Sequence, residues 1–244
     1  RGMGLFLTLT YAASFGFIMC CVRVYGDMFC IALAIFGIHI LFEIAGENNS
    51  VPCGKLKNFK MIFASCLFLG ASAWFKNEGL LYLLSALTIF AILNRGKNRY
   101  YECMISLAIP ALIFILPWLA VKMLGGLELR DFLIRSAVLS GNLGEYQLIA
   151  KYFMRVLFSD IMYSNGIWIL FFVMALANWK QAAVRSELKF ILLLIAFLLC
   201  FYFVLFFFSV RPLEWHLRSA CPRIILVPMF LALLFIARTS SPPR

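Results

Sequence analysis

Lys76-Asn77-Glu78-Gly79 interrupts an apolar stretch that runs from Met61 to Leu93. A lysine there can hold a phosphate as a point charge. A carboxylate beside it can orient that lysine or a substrate hydroxyl, and a glycine permits a tight turn into the next helix. Ionisable groups at membrane depth are expensive and tend to persist where they serve a site. A polar hairpin tip with a local ion pair would place the same residues at the same point. A second cluster is Arg211-Pro212-Leu213-Glu214-Trp215-His216-Leu217-Arg218, with Arg223 a few residues on. Arginine forks suit phosphate oxygens, so Arg211, Arg218 or Arg223 could grip a lipid phosphate. Arginine and tryptophan such as Trp215 are also ordinary anchors at a membrane interface.

Smaller signals surround these two. In Tyr25-Gly26-Asp27 the aspartate can cap the helix that follows. His39 and Glu43, spaced i, i+4, share a helix face and read as an interhelical hydrogen-bonding pair, not a metal site. Leu148, Ile149, Tyr152, Phe153, Val156 and Leu157 make one helical face and Gln147, Lys151 and Arg155 the other, the pattern of an amphipathic interfacial helix. A weaker version covers 129–137. The eight cysteines contain no C-x-x-C pair, and most lie in or beside apolar runs, so neither a zinc site nor a disulfide framework is indicated.

The elements that must carry these residues are set by composition. Of 244 residues 64% are hydrophobic and 14% charged, whereas soluble domains carry about 25% charged residues. Such a chain belongs in a bilayer. Apolar runs between polar breaks predict spans near 4–22, 28–45, 61–75, 80–93, 103–121, 162–177, 189–209 and 222–237. The fold expected is all-α: a polytopic transmembrane bundle of about eight spans, with one or two interfacial amphipathic helices. It occupies 1–238, with a disordered tail at 239–244. The net charge of +11 is scattered between apolar runs and not gathered in a stripe, which argues against a nucleic-acid partner.

The charges also give direction. Read as one helix, 61–93 would be roughly 50 Å long against a hydrocarbon core of about 30 Å. Lys55, Lys57 and Lys60 precede it and Arg95, Lys97 and Arg99 follow it, and the positive-inside rule places both clusters in the cytoplasm. Two crossings are then required, so the stretch is expected to be a hairpin whose tip holds Lys76 and Glu78 below the outer interface. Counting onward places Lys180, Arg185, Lys189 and Arg238 on the cytoplasmic side. Asp27, Lys76, the long connection 122–160 and Arg211 to Arg223 fall on the opposite face.

At this point the chain resembles a family, the polytopic GT-C membrane glycosyltransferases, particularly those related to bacterial protein mannosyltransferases and aminoarabinose transferases. Tyr25-Gly26-Asp27 before an apolar span resembles the family's Y-A-D-L-P-L-A stretch, although Met28-Phe29-Cys30 lacks its proline. Lys76-Asn77-Glu78-Gly79-Leu80 resembles its K-N-E-G-L element. Trp215-His216-Leu217, with Ser219 and Arg223, is similar to a W-H-L-x-T-S-x-D-R pattern, with Ala220 at the second hydroxyl position and Pro222 at the aspartate position.

The resemblance implies transfer of a sugar from a polyprenyl-phosphate donor to a glycan, lipid or protein acceptor, on the periplasmic or lumenal face of a multi-pass membrane protein, expected in a bacterial inner membrane. Lys76, Asp27, Arg211, Arg218, Arg223 and Trp215 would bind substrate, with Glu78 and His216 in support. The family's base is an aspartate in the first large outward loop, for which no segment here corresponds. It is expected upstream of Arg1, the chain being read as the carboxyl-terminal portion of a larger protein and inactive alone. No cofactor is implied; a divalent metal stays open, since Asp27 and Glu78 have no ligand spacing that selects one. The rival readings are a flippase or transporter of lipid-linked glycans, for which no paired broken helices are found, and a polymerase or ligase of such glycans.

Overall fold

A computed structural model of the chain describes residues 27–46, 56–95, 100–124, 143–159, 166–207 and 212–240. Among them all regular structure is helical: α1 (Asp27–Gly46), α2 (Leu56–Phe75), α3 (Asn77–Asn94), α4 (Tyr100–Leu124), α5 (Leu143–Met154) running into a wide π turn at Arg155–Ser159, α6 (Ile167–Ala177), α7 (Trp179–Val184), α8 (Ser186–Phe207), α9 (Leu213–Ile224) and α10 (Leu226–Thr239). The expected span at 4–22, the weaker amphipathic stretch at 129–137, and Tyr25, Gly26 and Arg211 lie outside the described residues.

Hydrocarbon offers no partner to a backbone N–H or C=O, so an apolar segment that crosses it must bond internally as a helix. Among the described residues five stretches are long and apolar enough to do so: Asp27–Gly46, Asn77–Asn94, Met104–Leu124, Ser186–Phe206 and Leu213–Thr239. Phe59–Phe75 and Ile167–Ala177 are apolar but shorter. Only 22% of the Met104–Leu124 window is buried by the protein itself, and Ile105, Ile109, Leu112, Ile113 and Leu116 face outward. Such a stripe would be a liability in water and is at home against lipid tails. The chain is a multi-pass, all-helical membrane protein.

The described residues form two compact units, one within Tyr25–Leu127 and Trp179–Leu194, the other within Glu128–Asn178 and Ile195–Arg244. In the first, α2 packs on α1, α3 and α4, and α1 also meets α3. Small residues permit the close approach. The Ser65 hydroxyl donates to the Gly37 carbonyl at 2.7 Å, and a Cβ at Gly37 would stand 2.5 Å from Leu69 Cγ and 2.9 Å from the Ser65 carbonyl oxygen. Phe90 meets Phe190 edge to face, their ring centroids 6.3 Å apart. Arg185 donates from Nε to the buried Glu187 at 2.8 Å where α8 begins.

In the second unit, α6 packs on α10 and α9 on α5. Phe171 meets Phe235 at 5.4 Å, and Phe153 lies between Phe203 and Phe206 at 5.7 and 5.8 Å. Ile149, Phe153, Val156 and Leu157 are buried, while Gln147, Lys151 and Arg155 are exposed.

Two boundaries differ from the expectation. The last span was expected to start near 222, but helix begins at Leu213 and runs with one turn at Ile225 to Thr239. The break has a local cause. Pro228, in the first turn of α10, has no N–H to donate to the Ile224 carbonyl, so the ladder lapses where α9 ends. The helix also continues through Thr239, with the Ser240 amide bonded to the Ile236 carbonyl at 3.1 Å.

Candidate functional site

Lys76 is a single extended residue, φ −153° and ψ 149°, between α2 and α3. Its amide bonds to the Ser72 carbonyl at 3.2 Å, and its own carbonyl accepts from the Gly79 amide at 2.9 Å. Gly79 is required here by close approach: a Cβ would overlap the Ser72 carbonyl and the Ala73 backbone nitrogen. The polar interruption of 61–93 is thus a true helix break, as the flanking charges demand.

The break brings Lys76 to Asp27. The ammonium forms an ion pair with Asp27 Oδ1, with the carboxylate side chain 7% exposed and that of the lysine 26%. Asp27 stands in the first turn of α1 and not ahead of it, where negative charge is favoured by the helix dipole. Cys30, one turn further on, is buried, with Asp27, Lys76 and Glu78 within electrostatic reach and its thiol against the Gly79 backbone. Glu78 is half-buried and makes no ion pair among the described residues. Phe29 stacks on Phe75 at 5.4 Å, and with Trp74 both remain exposed. The result is a partly exposed cation paired with a buried carboxylate.

The second cluster lies on a helix. Leu217, Ala220, Cys221 and Ile224 of α9 point inward, and Glu214, Trp215 and Arg218 point out. Arg218 donates from Nε to Tyr152 Oη at 2.9 Å and from Nη2 to Glu214 Oε1 at 2.7 Å. Arg223 donates from Nε to the Ser219 carbonyl of its own helix at 2.9 Å, and the Ser219 hydroxyl donates to the His216 carbonyl at 3.2 Å. His216 packs edge-on against Phe206 at 5.1 Å. By spacing Tyr152 belongs to the apolar face of its helix, and a hydroxyl partner 66 residues from its arginine leaves no mark in local spacing.

Of the expected pair His39 and Glu43, the histidine's Nδ1 is buried without a hydrogen bond among the described residues. The ring lies 6.1 Å from that of Phe42. No group of three or more His, Cys, Asp and Glu among the described residues is arranged to hold a metal ion. Comparison with known proteins leaves the class as defined by the helices themselves: no family model, no curated protein and no solved structure matches the chain.

Proposed function

We propose that the chain belongs to a GT-C-type membrane glycosyltransferase, which moves a sugar from a polyprenyl-phosphate donor to an acceptor on the periplasmic or lumenal face. The supporting observation is the ion pair itself, which joins Asp27 of the first motif to Lys76 of the second. The departing lipid phosphate develops negative charge, and a fixed ammonium at that point stabilises it electrostatically. Ammonium has three donors. Asp27 takes one and orients the rest.

In this reading Glu78 and His216 support the site, Arg218 and Arg223 serve donor binding, and no residue of the chain is assigned as the acceptor's base. About eight crossings, with α5 lying at the outer interface, complete the architecture proposed. In the complete protein, Lys76→Ala is expected to abolish transfer from a defined polyprenyl-phosphate sugar while membrane insertion is unchanged. The neutral pair Asp27→Asn/Lys76→Gln separates charge from folding: it should unfold close to wild type and still fail to transfer. Wild-type transfer by either variant sinks the phosphate role.

A further inference from the structure

Helix α5 is tied to α8 and α9 through rings. Phe153 meets Phe206 at 5.8 Å, and Phe206 meets His216 of α9 at 5.1 Å. Tyr152, beside Phe153 in the chain, thereby reaches the outward side of α9, where its Oη accepts from Arg218 Nε at 2.9 Å. From one turn back on α9, Glu214 Oε1 accepts from Arg218 Nη2 at 2.7 Å. The arginine side chain is 69% exposed, and a long side chain in that position loses rotamer freedom when it is held in one geometry. Two anchors on two helices hold it. A guanidinium is a rigid planar fork, so fixing Nε and Nη2 also fixes the direction of Nη1, which bonds to no described residue. The anchors differ in charge. Glu214 offsets part of the cation, whereas the tyrosine hydroxyl is a neutral acceptor that leaves the charge for a third partner, and the N–H groups that remain suit a bidentate grip on phosphate.

Given the donor-binding role proposed for Arg218, on which this rests, we infer that Tyr152 is a positioning residue for the donor: its hydroxyl holds the guanidinium so that the open edge of the fork meets the lipid-linked phosphate. Tyr152 lies outside both polar clusters, on a helix whose spacing marks an interface, and it acts through the arginine and not on the sugar. Holding the fork in place beforehand improves affinity, because the side chain need not be ordered at the moment of binding.

The complete protein, purified in mild detergent, is titrated with a polyprenyl phosphate that carries no sugar and, separately, with the corresponding polyprenol; bound lipid is counted by native mass spectrometry. Wild type should prefer the phosphate. Arg218→Gln should lose about tenfold in affinity for it, and Tyr152→Phe, which keeps the ring and removes only the acceptor, about fivefold. Polyprenol binding should change in neither. Tyr152→Phe should add nothing in an Arg218→Gln background, and Arg218→Lys serves the same cycle if glutamine is not tolerated, because lysine has no planar fork for the hydroxyl to aim. In transfer from the sugar-loaded donor, Tyr152→Phe should raise KM by the same factor and change kcat far less. Wild-type binding by Arg218→Gln overturns the donor role of that arginine, and the role of Tyr152 with it. A loss in Arg218→Gln with none in Tyr152→Phe, a further loss when the two are combined, or an equal weakening of polyprenol binding by Tyr152→Phe overturns the positioning role alone.

Discussion

With the Asp27 side chain 7% exposed and that of Lys76 26%, removing one partner is not equivalent to removing the other. Lys76→Ala takes the ammonium from a carboxylate that water barely reaches, and breaking a buried pair in this way costs about 3–5 kcal/mol. Asp27→Asn leaves an ammonium that can turn to water or toward Glu78, where the loss of a partly exposed pair is worth about 1 kcal/mol or less. Detergent-solubilised protein should therefore unfold earlier in Lys76→Ala than in Asp27→Asn; the reverse order would mean that the lysine carries the desolvation penalty. The sequence makes each residue conspicuous by its charge beside apolar runs. Their partnership is invisible there, because Glu78, two residues from Lys76, is the partner that local spacing suggests. Only the packing of α1 against the α2–α3 break selects Asp27.

Elements are held at a finer tolerance than residues suggest, because two glycines set the distances between helices. Gly79→Ala must push its Cβ into the Ser72 carbonyl and the Ala73 nitrogen, which are backbone atoms and cannot rotate aside. Gly37→Ala meets Leu69 Cγ, the branch point of a buried side chain, at 2.5 Å and the Ser65 carbonyl at 2.9 Å, so its room is tight but less closed by backbone than that of Gly79. Overpacking of this kind costs about 1–3 kcal/mol, and Gly79→Ala should lie at the severe end. Thermal unfolding in detergent checks the order; a Gly79→Ala protein as stable as wild type would deny the close approach. The break at Lys76 is legible from sequence because length and flanking charge both require it. Helix α9 is not delimited by apolar runs, since Glu214, His216 and Arg218 interrupt them, although Leu213, Leu217, Ala220, Cys221 and Ile224 recur at helical spacing. Periodicity marks that helix where hydropathy does not.

At the scale of the whole molecule, low charge and abundant apolar residues suffice to define the class, and five long apolar helices embody it. Which face looks where is a question of charge at loop ends. Basic residues resist translocation, so the orientation proposed puts Lys60 at the start of α2 and Arg95 after α3 on one side, and a chain broken at Lys76 would then return between them by exposing Asn77 on the other. Lys180, in α7, falls with Arg95 by the same count. Cysteine labelling with a membrane-impermeant maleimide, in a background whose native cysteines are replaced, reads this directly. Asn77→Cys should react in intact cells, and Arg95→Cys and Lys180→Cys only after the membrane is opened. Reaction of all three from one side would mean that α2 and α3 do not each cross, and would move Lys76 and Asp27 away from the face where a lipid-linked donor is proposed to meet them.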